Sequence, residues 1–381
     1  MRCFVLAAPV VASLAALMGG TGGCGKGLFP EVTSSVTVTP TPVANAFLYA
    51  TNFNDGTVSA FTRNTNTGAL GFIATQSAGA AGGPEGIAVR PQNDFVYVAN
   101  AADGNVYQYA IVQSGSTAGN LSSIGKIAAG TNPQMIAIDQ TGSFVYVTNM
   151  TSKTVSQYVI NSGTLTLKNT IGNFVGQPFG IIAHPSAQLL YVADSAGLIY
   201  AYSIGSTGLL TQIGTAVNSN GTSPGNPGLM AIAIDSTQGY LLVDDRTFGV
   251  VSVFLILSNG GLTYGNTFGT SQSSGTLGIG AVNNGGGSGI NYVITANTNA
   301  NFIQPYQRSG VTLTQQSSVA DSTGPTGLVI DPAGLFAYTG NSGSGTIALI
   351  GINNSQCGSQ PICVINSFVS GAGTQFVATT H

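Results

Sequence analysis

The segments Phe95-Val-Tyr-Val-Ala-Asn100 and Phe144-Val-Tyr-Val-Thr-Asn149 decide the fold. Each is a run of aromatic and β-branched residues, the composition of a short strand, closed by an Asn of the kind that opens a turn. The same segment recurs as FLYATN at 47–52, LLYVAD at 189–194, YLLVDD at 240–245, YVITAN at 292–297 and FAYTGN at 336–341. Successive closing residues lie 48, 49, 45, 51, 52 and 44 positions apart. A period in the forties, built of short strands, specifies propeller blades and not a helical solenoid.

Further columns stay in register around that segment. Three positions before the closing residue stand Tyr49, Tyr97, Tyr146, Tyr191, Leu242, Ile294 and Tyr338. Nine positions after it (eight in the fourth repeat) stand Phe61, Tyr109, Tyr158, Tyr202, Phe254, Tyr306 and Ile350. Upstream comes a narrower strand of small and aliphatic residues, PEGIAVRP at 84–91, PQMIAIDQ at 133–140, PFGIIAHP at 178–185 and PTGLVIDP at 325–332. The order is therefore a small-residue strand a at the axis, aromatic strands b and c, and a looser strand d such as Ala69–Thr75. Large side chains in b and c fill the wider space between blade faces.

The ends of the chain fit together. The first repeat begins directly at strand b, and Gln375–His381 reads as an orphan strand a. Joining it to the first blade closes the ring and removes the exposed edges of an open sheet. Residues 45–381 number 337, against about 336 for seven repeats of about 48. The expected fold is all-β, a seven-bladed propeller of four-stranded antiparallel blades, over 45–381.

Composition agrees and excludes several functions. The chain has 54 Gly in 381 residues, 43% hydrophobic residues and only 6% charged ones. Low charge with this apolar content argues against disorder, and the glycines lack the collagen period. A net charge of −3 with no basic run gives no footprint for nucleic acid. Two His and two Glu supply little material for acid–base chemistry.

The first residues read as an address. Arg2, the apolar stretch Phe4–Met18 and small residues up to Cys24 form a secretory signal, too short to span a bilayer. It resembles a bacterial lipoprotein signal: 1–23 is removed and Cys24 carries the lipid. An ordinary cleaved signal with Cys24 incidental is the alternative. Residues 24–44, with Ser35-Val-Thr-Val-Thr-Pro-Thr-Pro42, form an extended tether. The expected location is the cell envelope, anchored through lipid only.

The run P-x-G-I-A-V-x-P at 84–91, then FVYVAN or FVYVTN, then Thr154-Val-Ser-Gln-Tyr158, is similar to YVTN-type repeats. These belong to the seven-bladed propellers of the lactonase superfamily, which resemble propeller-type 6-phosphogluconolactonase. The resemblance covers nearly all of 45–381. It implies ring-opening of a sugar lactone; a related branch cyclises muconates, and secreted members look like binding or scaffold modules. It also implies His, Glu and Arg side chains at the channel mouth, on the face that carries the d–a and b–c loops.

That face offers Glu85 as candidate base and Arg246 as candidate partner for an oxyanion. Asp103, Lys153, Asp194, Asp244 and Asp245 are the other charged candidates of a binding face, with Asp321 beside them. His184 and His381 fall in a column with Arg90, Asp139, Asp235, Asn283 and Asp331, read as a solvent-facing a–b turn position at the opposite end. The seven closing Asn and Asp residues admit two readings: a calcium ring, which lacks enough acids, or side chains bonding their own turns. Cys357 and Cys363 are an even pair in an exported chain, expected as a disulfide, with thiol catalysis as the alternative. No cofactor or metal is expected. The sequence favours a monomeric envelope binding module for a carbohydrate, polymer or protein; the alternative is a sugar-lactone hydrolase.

Overall fold

Alternating apolar residues in strands b and c let each sheet bury both faces against neighbouring sheets, and the chain folds accordingly. The computed structural model describes residues 46–219, 228, 230–269, 275–283 and 291–381. The signal segment, Cys24 and the tether lie outside the described residues. Seven antiparallel sheets form, each in the order a-b-c-d. In the second blade these strands are Pro84–Val89, Phe95–Asn100, Asn105–Ile111 and Leu121–Ala128. Strand d is split in the fourth blade, into Leu210–Gln212 and Val217–Asn218, and in the sixth, into Thr312–Gln315 and Val319–Ala320.

The ring closes as the sequence requires. Thr374–Thr379 pairs antiparallel with Phe47–Asn52, so the first blade takes its inner strand from the C-terminus. Glycine sets how closely the inner strands converge. A Cβ at Gly86 would lie 2.4 Å from the Gln134 carbonyl oxygen, and one at Gly278 would lie 2.0 Å from that of Thr326. These positions admit only glycine because neighbouring backbones already touch.

The tyrosine column pins adjacent blades. Tyr49, Tyr97, Tyr146, Tyr191 and Tyr338 are fully buried. Each hydroxyl donates across the seam to a glycine carbonyl in the next blade's c–d turn: Gly119, Gly163, Gly208, Gly260 and Gly68, at 2.8–3.0 Å. Leu242 and Ile294, which replace tyrosine in the fifth and sixth blades, carry no such hydroxyl. Other residues join seams elsewhere. Arg308 in the sixth blade pairs with Asp235 in the fifth, and Arg63 in the first pairs with Asp331 in the seventh. Both pairs are almost wholly buried.

The structure corrects the histidine column. His184 is buried, not solvent-facing: its Nδ1 accepts from the Ser186 and Ala187 amides, and its Nε2 meets the Gln238 carbonyl of the next blade at 3.1 Å. The position serves the a–b turn, whose amides need an acceptor. Asp139 takes the Ser143 and Phe144 amides, and Asp331 those of Leu335 and Phe336. His381 lies one residue outside this column. The closing strand begins at Thr374, so Thr380 occupies the position and its Oγ1 accepts the Phe47 amide at 2.8 Å. Cys357 and Cys363 form a disulfide, Cα–Cα 5.2 Å, across the c–d connection of the seventh blade.

Candidate functional site

In six of the blades the residue that follows the opening of strand a points to the axis. In the second, third and fourth blades these are Glu85, Gln134 and Phe179; in the sixth, seventh and first they are Leu277, Thr326 and Gln375. All six line one cavity of about 270 Å³ at the channel mouth. In the fifth blade strand a opens at Met230, which pairs with the closing Asp245. A second tier comes from the residue after the closing Asn or Asp, where Arg246, Thr298 and Ser342 join the wall, and Phe376 completes it. The volume lies near the lower end of the roughly 300–1,000 Å³ common for small-molecule pockets.

Glu85 and Arg246 therefore meet the same cavity, from blades three apart in the ring. Neither side chain makes a hydrogen bond or ion pair with the described residues. They do not pair with each other either, so more than 4.0 Å separates their charged atoms. Glu85 keeps part of its surface open to the cavity, but the wall displaces most of its water. This desolvation lifts its pKa from 4.5 to about 8. An enclosed, accessible and perturbed carboxyl in a concave site marks a candidate functional group.

The remaining candidates serve structure in different degrees. Asp194 is fully buried and accepts from the Gly176, Ala196 and Leu198 amides and the Tyr200 hydroxyl. Asp245 accepts from the Thr247 and Phe248 amides, and burial raises its pKa against the pull of those bonds. Asp244 is fully buried in strand b. Asp321 accepts from Thr339 Oγ1 and Asn341 Nδ2. The closing Asn100 uses Oδ1 for the Ala102 and Asp103 amides, the local bonding that the turn reading requires.

Asp103 and Lys153 lie in the b–c loops. Burial would raise the Asp103 pKa, but bonds from Tyr107, Asn105 and Lys126 outweigh it and lower the value. Asp103 also edges an open groove of about 610 Å³ over the second and third blades, with Thr131, Asn132 and Ser152. Lys153 Nζ donates to the Val175 carbonyl at 2.8 Å. Neither histidine reaches the mouth: His184 lies five residues of extended chain beyond Phe179, about 16 Å away at strand rise. Among the described residues no three His, Cys, Asp or Glu side chains cluster as a metal site.

Sequence reasoning found the two charged residues but missed the ring in which Glu85 sits. Gln134, Phe179, Leu277, Thr326 and Gln375 share its register. That register was readable as the position after the Pro or Thr that opens strand a.

Comparison with known proteins agrees with this architecture. Residues 44–178 match the model of the family described as Lactonase, 7-bladed beta-propeller. No curated protein sequence matches the chain. Among solved structures, the periplasmic gluconolactonase of Pseudomonas aeruginosa superposes with a TM-score of 0.73 at 14% identity, covering 88% of this chain and 99% of that one. A Bacteroides uniformis protein provisionally named a 6-phosphogluconolactonase gives 0.75 at 16% identity, covering 88% and 99%. A Lactobacillus plantarum protein gives 0.70 at 16%, covering 89% and 100%. Repeat pattern, blade topology and the match over residues 44–178 agree: the chain is a seven-bladed β-propeller of lactonase-like architecture.

Proposed function

We propose that the channel mouth binds a small lactone and opens its ring, with Glu85 as base and Arg246 as the partner of the developing oxyanion. One observation carries this reading: two oppositely charged groups line one cavity and leave each other unpaired. A carboxyl and a guanidinium enclosed together gain from pairing, so a gap between them suits a polar ligand.

In this mechanism ionised Glu85 removes a proton from water as the water oxygen bonds to the lactone carbonyl carbon. Charge gathers on the carbonyl oxygen, where the Arg246 guanidinium stabilises it. Collapse of the intermediate breaks the ring C–O bond, and Glu85 returns its proton to the leaving oxygen, giving a hydroxy acid. A raised Glu85 pKa makes turnover depend on pH: the base form grows as pH rises toward about 8 and levels off above it. The test is a lactone-opening assay with Glu85→Gln and Arg246→Met. Losses of about 10²–10⁴ for the first and about 10²–10³ for the second are expected. Full activity in Glu85→Gln removes Glu85 from the mechanism.

A second reading keeps the mouth as a binding site without turnover, for a carbohydrate, polymer or envelope protein. It is favoured by the placement of both histidines away from the mouth, which leaves Glu85 without a histidine to orient it. Glu85-dependent ligand binding with no product formation would select it. We further infer that the chain is exported and lipid-anchored at Cys24, acting as a monomer. The Cys357–Cys363 disulfide supports an oxidising compartment. Mass analysis of the mature N-terminus, with Cys24→Ser as control, tests the anchor.

A further inference from the structure

The mouth is two-sided. Following the blades around the axis, Thr326, Gln375, Glu85 and Gln134 occupy four consecutive positions and form a polar arc. Phe179 and Leu277, from the fourth and sixth blades, lie on the other arc. Arg246 enters above this second arc from the fifth blade. A ligand between Glu85 and Arg246 therefore meets amides along one edge and hydrocarbon along the other.

The hydroxyls of the wall are already committed as donors. Thr298 Oγ1 gives its proton to the Pro325 carbonyl at 2.7 Å, and Ser342 Oγ gives its proton to the Gly324 carbonyl at 3.0 Å. Thr326 Oγ1 donates to the carbonyls of Gly340 and Gln375. Gln134 spends one amide proton on Asn132 Oδ1 at 2.7 Å. Toward a ligand these hydroxyls can accept but not donate. Among the described residues Arg246 is the single cation of the wall, and Glu85 is an ionisable acid in the same volume of about 270 Å³. A phosphate monoester carries nearly two negative charges and three strong acceptor oxygens. It needs several donors and more than one positive charge, and would face the Glu85 carboxylate at close range.

We infer that the mouth selects compact lactones that carry a hydrocarbon edge and no phosphate. This rests on the lactone reading above and adds its substrate class. Glu85 and Arg246 engage the ester group, Gln375 and Gln134 supply amide donors on one side, and Phe179 and Leu277 take the hydrocarbon edge on the other. A fully hydroxylated sugar ring loses because its hydroxyls facing Phe179 and Leu277 find no partner.

The test compares kcat/KM for a six-membered lactone with a short alkyl substituent, for glucono-δ-lactone and for its 6-phosphate. The alkyl lactone should be preferred over glucono-δ-lactone by at least about tenfold, with the phosphate poorest. Leu277→Ser and Phe179→Ser should each cut the alkyl preference by about tenfold, and Phe179→Leu should restore it. Phe179 is almost fully buried and its serine variant can fail to fold, so the half-buried Leu277 carries the decision. The inference is overturned if the phosphorylated lactone is the best substrate, or if Leu277→Ser leaves the preference unchanged in a folded protein. Either result leaves lactone hydrolysis standing.

If the wild type opens none of the three lactones, calorimetry with the corresponding uncleavable lactams separates the two claims. Tighter binding of the alkyl lactam, weakened about tenfold by Leu277→Ser, supports the selectivity while turnover falls. Equal affinities for the alkyl and sugar lactams overturn the selectivity.

Discussion

The blade seams and the channel mouth treat polar groups in opposite ways. In the seams, Arg308 pairs with Asp235, Arg63 pairs with Asp331, and five buried tyrosines reach glycine carbonyls across the gap. At the mouth, Glu85 and Arg246 are enclosed by the same sheets and have no partner among the described residues. A buried polar group that is paired belongs to the fold; one left unpaired against a cavity is a stability cost that a ligand can offset.

Substitutions test that contrast. Arg308→Ala should be the most damaging to stability, about 3–5 kcal/mol in denaturant unfolding, because it strands Asp235 without its counter-charge. A loss below about 1 kcal/mol would mean that the seam does not depend on the pair.

Glu85→Gln should act in the other direction. The folded pKa of about 8 lies above the ordinary 4.5, so the folded chain holds a proton that the unfolded chain releases. Wild-type stability therefore falls as pH rises between about 4.5 and 8. Glu85→Gln lacks this term and should gain about 1–3 kcal/mol over the wild type by pH 8, with no gap at pH 4. A gap independent of pH would show that the carboxyl is not desolvated.

Tyr97→Phe removes one seam hydroxyl and strands the Gly163 carbonyl; about 1 kcal/mol is expected by unfolding. Arg246→Met should be smallest, within about 0.5 kcal/mol, since no partner among the described residues is lost.

The repeat was legible because its signals are local. A six-residue strand closed by Asn or Asp, spaced by about 48, requires no knowledge of long-range contacts. The C-terminal closure was legible for the same reason, although its start slipped by one residue, which moved His381 into a place that Thr380 holds. The seam chemistry was not legible. Arg63 and Asp331 are 268 residues apart, and nothing near either identifies the other. The histidine column was misjudged as solvent-facing because polar residues suggest a surface, whereas His184, Asp139, Asp235 and Asp331 are buried acceptors of turn amides. At the mouth, scarcity singled out Glu85 and Arg246, but no sequence feature stated that one cavity joins blades two and five.

The pH dependence of lactone opening, measured as kcat/KM from pH 5 to 10 for the wild type and Glu85→Gln, tests the central claim most directly. The account predicts a wild-type rate that climbs about tenfold per pH unit and levels near pH 8, and a low rate without that rise in Glu85→Gln once hydroxide-driven opening is subtracted. Superimposable profiles for the two proteins would contradict it.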